Sequence, residues 1–234
     1  MRNFSNLYIF TYASVLVIIV AAILSFTAIK LKPIQNKNIE IKKKQDILSS
    51  IDIKSDVENA EELYDKFITK SFVVNSKGEE KQGDAFNTNL KAELDKAPEK
   101  RNLPVFECNI DDGIKYIIPV LGKGLWGPIW GYIALNDDFN TIYGATFAHK
   151  AETPGLGAEI DQKWFQEKFK GKKIFDEQKN FKSIAIVKGG ASPDDIHGVD
   201  AISGGTITSK ALEETINKCL ENYINYLKIK ANKK

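Results

Sequence analysis

The spacing of hydrophobic and polar residues changes twice along this chain. At the amino end there is no alternation: no charged residue occurs from Asn3 to Ile29, and YIFTYASVLVIIVAAILSFTAI is apolar almost throughout. A run of about 20 such residues is long enough to cross a hydrocarbon core as a helix. Tyr8, Phe10 and Tyr12 stand near one end of it, where amphipathic rings prefer an interface. The run is longer than the apolar region of a cleaved leader, and SFTAIKLKP is a poor cleavage site. Residues 1–32 are therefore expected to be an uncleaved transmembrane anchor. Residues 33–102 are polar and lysine-rich. There, Val57, Leu63 and Phe67 fall at helical spacing and SFVVNSKGEEKQG reads as a short strand and a charged turn. This stretch is expected to form a peripheral lobe or stalk.

From residue 103 the period shortens. PVFECNI, IKYIIPV, PIWGYIAL and TIYGATFAH are β-rich runs separated by DDG, GKG and NDDFN, the pattern of antiparallel strands joined by hairpins. AEIDQKWFQEKF then places Ile160, Trp164, Phe165 and Phe169 on one side of an expected amphipathic helix. KSIAIVKGG reads as a further strand. Residues 208–229 line up Leu212, Ile216, Cys219, Leu220, Tyr223 and Leu227 as one long closing helix. Strands and helices mix without regular βαβ alternation. The expected class is α+β, a single amino-terminal transmembrane helix followed by a mixed, mainly antiparallel sheet domain (103–234) with flanking helices.

Composition narrows the function. Hydrophobic residues make up 43% and charged residues 27%, with a formal net charge of +2. Such near-balance argues against nucleic acid as a partner. Cys108 and Cys219 are the only cysteines, without a CxxC or a Cys/His cluster, which excludes an iron–sulfur module and gives no metal site. They are expected as buried thiols, with a disulfide left open. His149 and His197 read as surface or capping residues, and no GxSxG elbow accompanies them. No catalytic constellation is expected in this chain.

Three stretches carry candidate chemistry. DAISGGT, Asp200 to Thr206, is a turn entering a helix. Gly204 and Gly205 let backbone approach a ligand, and the helix amino terminus suits a phosphate. Ordinary capping explains the same residue types. It is neither a P-loop nor a GxGxxG fingerprint. HKAETPGLGAEI bends after a strand and sets Glu152, Thr153, Leu156 and Gly157 around an apolar side chain held between glycines. In GKGLWGPIWG two tryptophans alternate with glycines, either as core or lining a planar ligand or a partner.

ETPGLG together with D-x-x-S-G-[AG]-T resembles the FMN-binding domain shared by membrane respiratory flavoproteins. With GKGLWGPIWGYIAL and the anchor, the similarity is to the C-subunit family of the sodium-translocating NADH:quinone oxidoreductase. It covers about residues 103–225 and the anchor. The resemblance implies FMN esterified through its phosphate to Thr206, attached by a separate flavin transferase. Asp200, Ser203, Gly204 and Gly205 fill the other motif positions, with Glu152, Thr153, Leu156 and Gly157 against the flavin. Gly205 stands where the family usually has alanine, which implies a slightly looser turn. Asp200 is either recognised by the transferase or helps to activate the hydroxyl. The implied role is electron relay inside a complex that oxidises NADH, reduces ubiquinone or menaquinone and pumps Na⁺. The partners would be its other subunits, and the domain would lie on the periplasmic side of a bacterial inner membrane. Lys30, Lys32, Lys37 and Lys42 to Lys44 follow the anchor while Arg2 precedes it, which by charge alone favours the opposite orientation. Two alternatives stand beside this reading: the G-type subunit of the Rnf ferredoxin:NAD⁺ complex, and a non-redox assembly module that has lost its flavin.

Overall fold

The computed structural model describes residues 5–232 and divides the chain into two compact units, Met1–Lys43 and Lys44–Lys234. Arg2, weighed in the orientation argument, lies outside the described residues. Helix α1 runs Asn6–Ser49 and is the one described helix long and apolar enough to cross a membrane. Within the apolar run, Thr11 and Thr27 donate their hydroxyls to the carbonyls of Leu7 and Ile23, both at 2.8 Å. Both hydroxyls are thereby satisfied within the helix itself, as a surface facing hydrocarbon requires. The helix does not stop at residue 32. Pro33 lies inside it, losing one ladder bond without ending the helix.

In the second unit, strands β1 (Ile68–Asn75), β2 (Glu80–Lys81), β3 (Asn102–Ile110), β4 (Gly113–Lys123), β5 (Pro128–Leu135) and β6 (Ile142–His149) form one antiparallel sheet. Its order is β2-β1-β3-β4-β5-β6. The three predicted hairpins β3–β4, β4–β5 and β5–β6 are present. Residues 33–102, expected as a peripheral lobe, instead supply α2 (Ala60–Phe67), α3 (Leu90–Leu94) and the strands β1 and β2, with β1 paired along β3. The period of two sends alternate residues to two cores. Leu103, Val105, Ile118, Val120, Ile129 and Ile133 enter one, while Phe106, Cys108, Ile117, Tyr132 and Ala134 enter the other. Ile47, Leu48 and Ile51 close the second core. Both cysteines are free and buried.

Two helical expectations are corrected. The expected helix over residues 158–169 is instead a 3₁₀ turn (Gly157–Asp161), a single turn α4 (Lys163–Gln166) and a 3₁₀ turn (Glu167–Phe169). Gln162 between them is extended, and the buried Gln166 amide donates to the carbonyls of Phe147 and Ile160. Phe165 and Phe169 are buried, whereas Trp164, one residue off that face, is 48% exposed. The closing helix is likewise two, α5 (Thr206–Glu221) and α6 (Ile224–Ala231). At the break Asn222 donates back to the Lys218 carbonyl (2.6 Å) and accepts from Arg101 (2.6 Å), while the buried Tyr223 hydroxyl donates to the Pro104 carbonyl. A short amide side chain competing for backbone partners favours such an interruption. Strands β7 (Ala185–Val187) and β8 (Gly198–Asp200) form a separate parallel pair.

Candidate functional site

The site is assembled where α5 begins. Strand β8 ends at Asp200, and the Ala201 N–H donates to the Val187 carbonyl, so the strand pair delivers the next residues as a turn. Gly204 takes φ +75°, a left-handed conformation open to glycine. The Gly205 N–H closes the turn on the Ile202 carbonyl (3.1 Å), and the Ile202 N–H donates to Ser209 Oγ inside α5 (3.1 Å). The helical ladder starts with Ser209 N–H on the Gly205 carbonyl. Three N–H groups, those of Thr206, Ile207 and Thr208, therefore precede it at the positive end of a 16-residue helix with no acidic residue in its first turn.

Four hydroxyls lie in or beside this turn, and the fold separates them. Ser209 is buried and accepts from Ile202, and Thr208 is buried and donates to Glu152 Oε2 at 2.5 Å. Ser203 and Thr206 are exposed with no partner among the described residues. Only Thr206 of these two lines the cleft of about 270 Å³ at the helix start. The same cleft is lined by Leu125, Trp126, Glu152, Thr153, Leu156, Gly157, Gly204, Gly205, Ile207 and Thr208.

Glu152 holds the cleft together. Its side chain is buried (4% exposed) although it follows a strand end in a polar loop. Oε1 accepts from the Trp126 N–H at the tip of the β4–β5 hairpin (2.8 Å), and Oε2 accepts from Thr208 on α5. Its own N–H donates to His149 Nδ1 (3.1 Å), whose Nε2 lies 3.4 Å from Asp161 Oδ2. His149 is thus a capping residue of the loop. One carboxylate joins a hairpin tip, a strand end and a helix start. The glycines around it leave room for this: a Cβ on Gly157 would sit 2.3 Å from Thr208 Oγ1, and one on Gly124 would sit 2.6 Å from Glu152 Oε1.

Of the residues singled out from sequence, Glu152, Thr153, Leu156, Gly157, Gly204, Gly205 and Thr206 converge on this cleft. Asp200 and Ser203 do not line it. Asp200 Oδ2 pairs with Lys168 Nζ (2.7 Å) and Oδ1 accepts from the Ala191 N–H (2.9 Å). These bonds hold its carboxyl below the usual carboxylate range, the Lys168 bond contributing most. Gly205 is buried, and a Cβ there would meet Ile202 Cγ2 at 2.9 Å and the Leu156 carbonyl oxygen at 3.0 Å. Leu125, Trp126, Ile207 and Thr208 complete the lining, and of these only Trp126 is a candidate from sequence, as core or as ligand contact. Trp126 and Ile207 are 67% and 62% exposed beside the cleft. The signal for Trp126 was its place in a glycine-rich hairpin; Thr208 gave none.

Three comparisons bear on this geometry. Residues 124–221, which contain the whole cleft lining, match the FMN-binding domain family. The Na(+)-translocating NADH-quinone reductase C subunit of Vibrio parahaemolyticus is 33% identical over 223 residues, 86% of this chain and 85% of the relative. That of Neisseria meningitidis is 47% identical over 97 residues, 42% of this chain and 37% of the relative. Among solved structures, the crystal structure of the same reductase's C subunit from Parabacteroides distasonis superposes with a TM-score of 0.78 at 46% identity, covering 84% of this chain and 96% of that one. The Shewanella oneidensis NqrC structure does so with a TM-score of 0.68 at 27% identity, covering 82% and 99%. Sequence kinship along most of both chains, joined to this fold and cleft, places the chain in the C-subunit family of the Na(+)-translocating NADH-quinone reductase.

Proposed function

We propose that this chain carries FMN as a phosphoester on Thr206 Oγ1 and relays electrons within a Na⁺-pumping NADH:quinone oxidoreductase. The observation that carries the reading is the sorting of hydroxyls at the start of α5. Thr206 offers an exposed, unengaged hydroxyl that also faces the cleft, while Thr208 and Ser209 are consumed by the structure. The residues present fit the group. A phosphate at Thr206 would lie beside the N–H groups of the first turn, which have no partner among the described residues, and the positive helix end. Trp126, Leu125, Leu156 and Ile207 provide apolar surface for a planar ring. Gly204 and Gly205 add no side chain of their own there, and Leu156 Cδ2 already stands 2.6 Å from where a Cβ on Gly204 would lie.

Bound flavin supplies one- and two-electron chemistry that no side chain of the chain provides. The chain binds, orients and retains it. Glu152 fixes the hairpin tip relative to the helix start, so Trp126 and Thr206 face one cleft. Attachment forms a bond from Thr206 Oγ1 to phosphorus. It requires an activated donor, a flavin nucleotide bearing a pyrophosphate, whose P–O bond breaks to release a nucleoside monophosphate. The hydroxyl proton passes to a base of the flavin transferase or to solvent. Anchoring by α1 in a bacterial inner membrane, with the domain on the periplasmic side against the other subunits, completes the proposal. A covalent link suits a compartment in which lost flavin is not replaced.

The test is the intact mass, under denaturing conditions, of protein co-produced with a flavin transferase. Wild type is expected to gain the mass of FMN less one water, and Thr206→Ala to gain nothing. A gain in both variants would put the ester on another hydroxyl, with Ser203 the first to examine. A gain in neither would leave the cleft without its covalent cofactor.

A further inference from the structure

Asp200 opens the acceptor turn, yet it does not line the cleft at Thr206, and both of its carboxylate oxygens are engaged on the other side of the turn. Oδ2 is 2.7 Å from Lys168 Nζ, and Oδ1 accepts from the Ala191 N–H at 2.9 Å. The Lys168 ammonium is held from a second side, 5.1 Å above the Trp164 ring, where a cation is attracted by the ring face. Trp164 is in turn oriented by its indole N–H, which donates to Glu159 Oε2 at 3.2 Å. Asp200 also pairs through its backbone with Val187 in the β7–β8 register. Ala191 follows Gly189 and Gly190, which take φ +88° and +105°. A two-glycine loop of this kind has many alternative conformations unless something ties it down.

We propose that Lys168 is a positioning residue for flavin attachment. With Asp200 it forms a clasp that fixes the 189–191 loop and the start of the 200–205 turn, and so sets how Thr206 is presented to the transferase. Asp200 acts through this clasp and not as the base for the hydroxyl. The inference rests on the Thr206 reading above. The remainder of the turn is fixed by the Ile202–Ser209 and Gly205–Ile202 bonds, so loss of the clasp loosens the entry of the turn without melting α5.

The experiment follows the rate of mass gain of the full chain on incubation with the transferase and its donor. It compares wild type, Lys168→Met, Lys168→Arg, Asp200→Asn, the Lys168→Met/Asp200→Asn double variant and Thr206→Ala. Lys168→Met and Asp200→Asn are each expected to slow attachment roughly two- to fivefold, the loss of one partly exposed ion pair. Lys168→Arg is expected to recover most of the rate, and the double variant to be no slower than either single one. Attachment abolished by Asp200→Asn but unchanged by Lys168→Met would overturn the proposal, because Asp200 would then act on the hydroxyl or be read directly by the transferase. Wild type gaining no mass would sink the Thr206 reading instead. In that event amide exchange of Ala191, measured without transferase, still decides the clasp: acceleration of roughly two- to fivefold in Lys168→Met supports it, and unchanged exchange removes it.

Discussion

Gly157 and Gly155 stand two residues apart and have opposite reasons to be glycine. Gly155 has φ +74° and open space around its missing Cβ, so alanine there costs only backbone strain, about 1 kcal/mol. Gly157 has ordinary backbone and no room, because a Cβ would drive into Thr208 Oγ1 and Glu152 Oε2. Gly157→Ala is expected to destabilise by about 1–3 kcal/mol through overpacking and the disturbed Glu152–Thr208 bond. Denaturant midpoints of the two variants separate these effects. The Asp200 carboxyl offers a second residue-scale test. Its folded pKa is depressed, so its stabilising contribution is complete above the unfolded value and is lost as pH falls through the folded one. Protection of the Ala191 amide is therefore expected to hold at neutral pH and to fall only below the ordinary carboxylate range, and in Asp200→Asn this pH dependence should vanish.

Helix α5 packs tightly on the sheet where Thr215 faces Gly122. A Cβ on Gly122 would lie 1.9 Å from Thr215 Oγ1. Farther along, the Leu121 N–H donates to Cys219 Sγ at 3.4 Å. The amino end of α5 is thus located by a contact nine residues away in sequence. Gly122→Ala is expected to cost about 1–3 kcal/mol, and Thr215→Ala to relieve part of it. A double-mutant cycle on urea midpoints should show a favourable coupling of about 0.5–3 kcal/mol; simple additivity would mean that the two positions do not share this space. The helical period around Leu212, Ile216 and Cys219 was legible in sequence, and the break at Asn222 was not. Arg101 and Pro104, the partners that hold the break, lie more than a hundred residues upstream, beyond the reach of any local pattern. The 158–169 pattern reads as one helix for a similar reason: the Gln166 amide is committed to the carbonyl of Phe147, 19 residues upstream, a partner that no local pattern shows.

At the scale of the whole unit the sheet separates two cores, and each holds one cysteine. Burial pushes the Cys108 thiol up to about 12 and raises that of Cys219. Both thiols should therefore resist a thiol reagent at pH 8 in the native chain, and both should react once it is unfolded in denaturant. Reaction of either in the native state would mean that its core opens on the timescale of the assay. A raised thiol pKa also has a sign in stability. The contribution is intact below the unfolded value near 9 and is lost as pH rises above it.

Features that depend on neighbours along the chain are legible in its residues. These are the apolar span, the three hairpins with their period of two, and the glycine, serine and threonine turn into a helix. The pairing of ETPGLG with DAISGGT pointed to seven residues that do meet in one cleft. Tertiary structure decided what depends on distant partners. It buried Thr208 and Ser209 and left Thr206 exposed at the cleft. It turned Asp200 toward Lys168 and Ala191, brought β1 into the sheet, and carried the Trp126 hairpin onto Glu152. Most of these are hydrogen bonds or close contacts between residues far apart in the chain, and spacing along a sequence holds no record of such contacts.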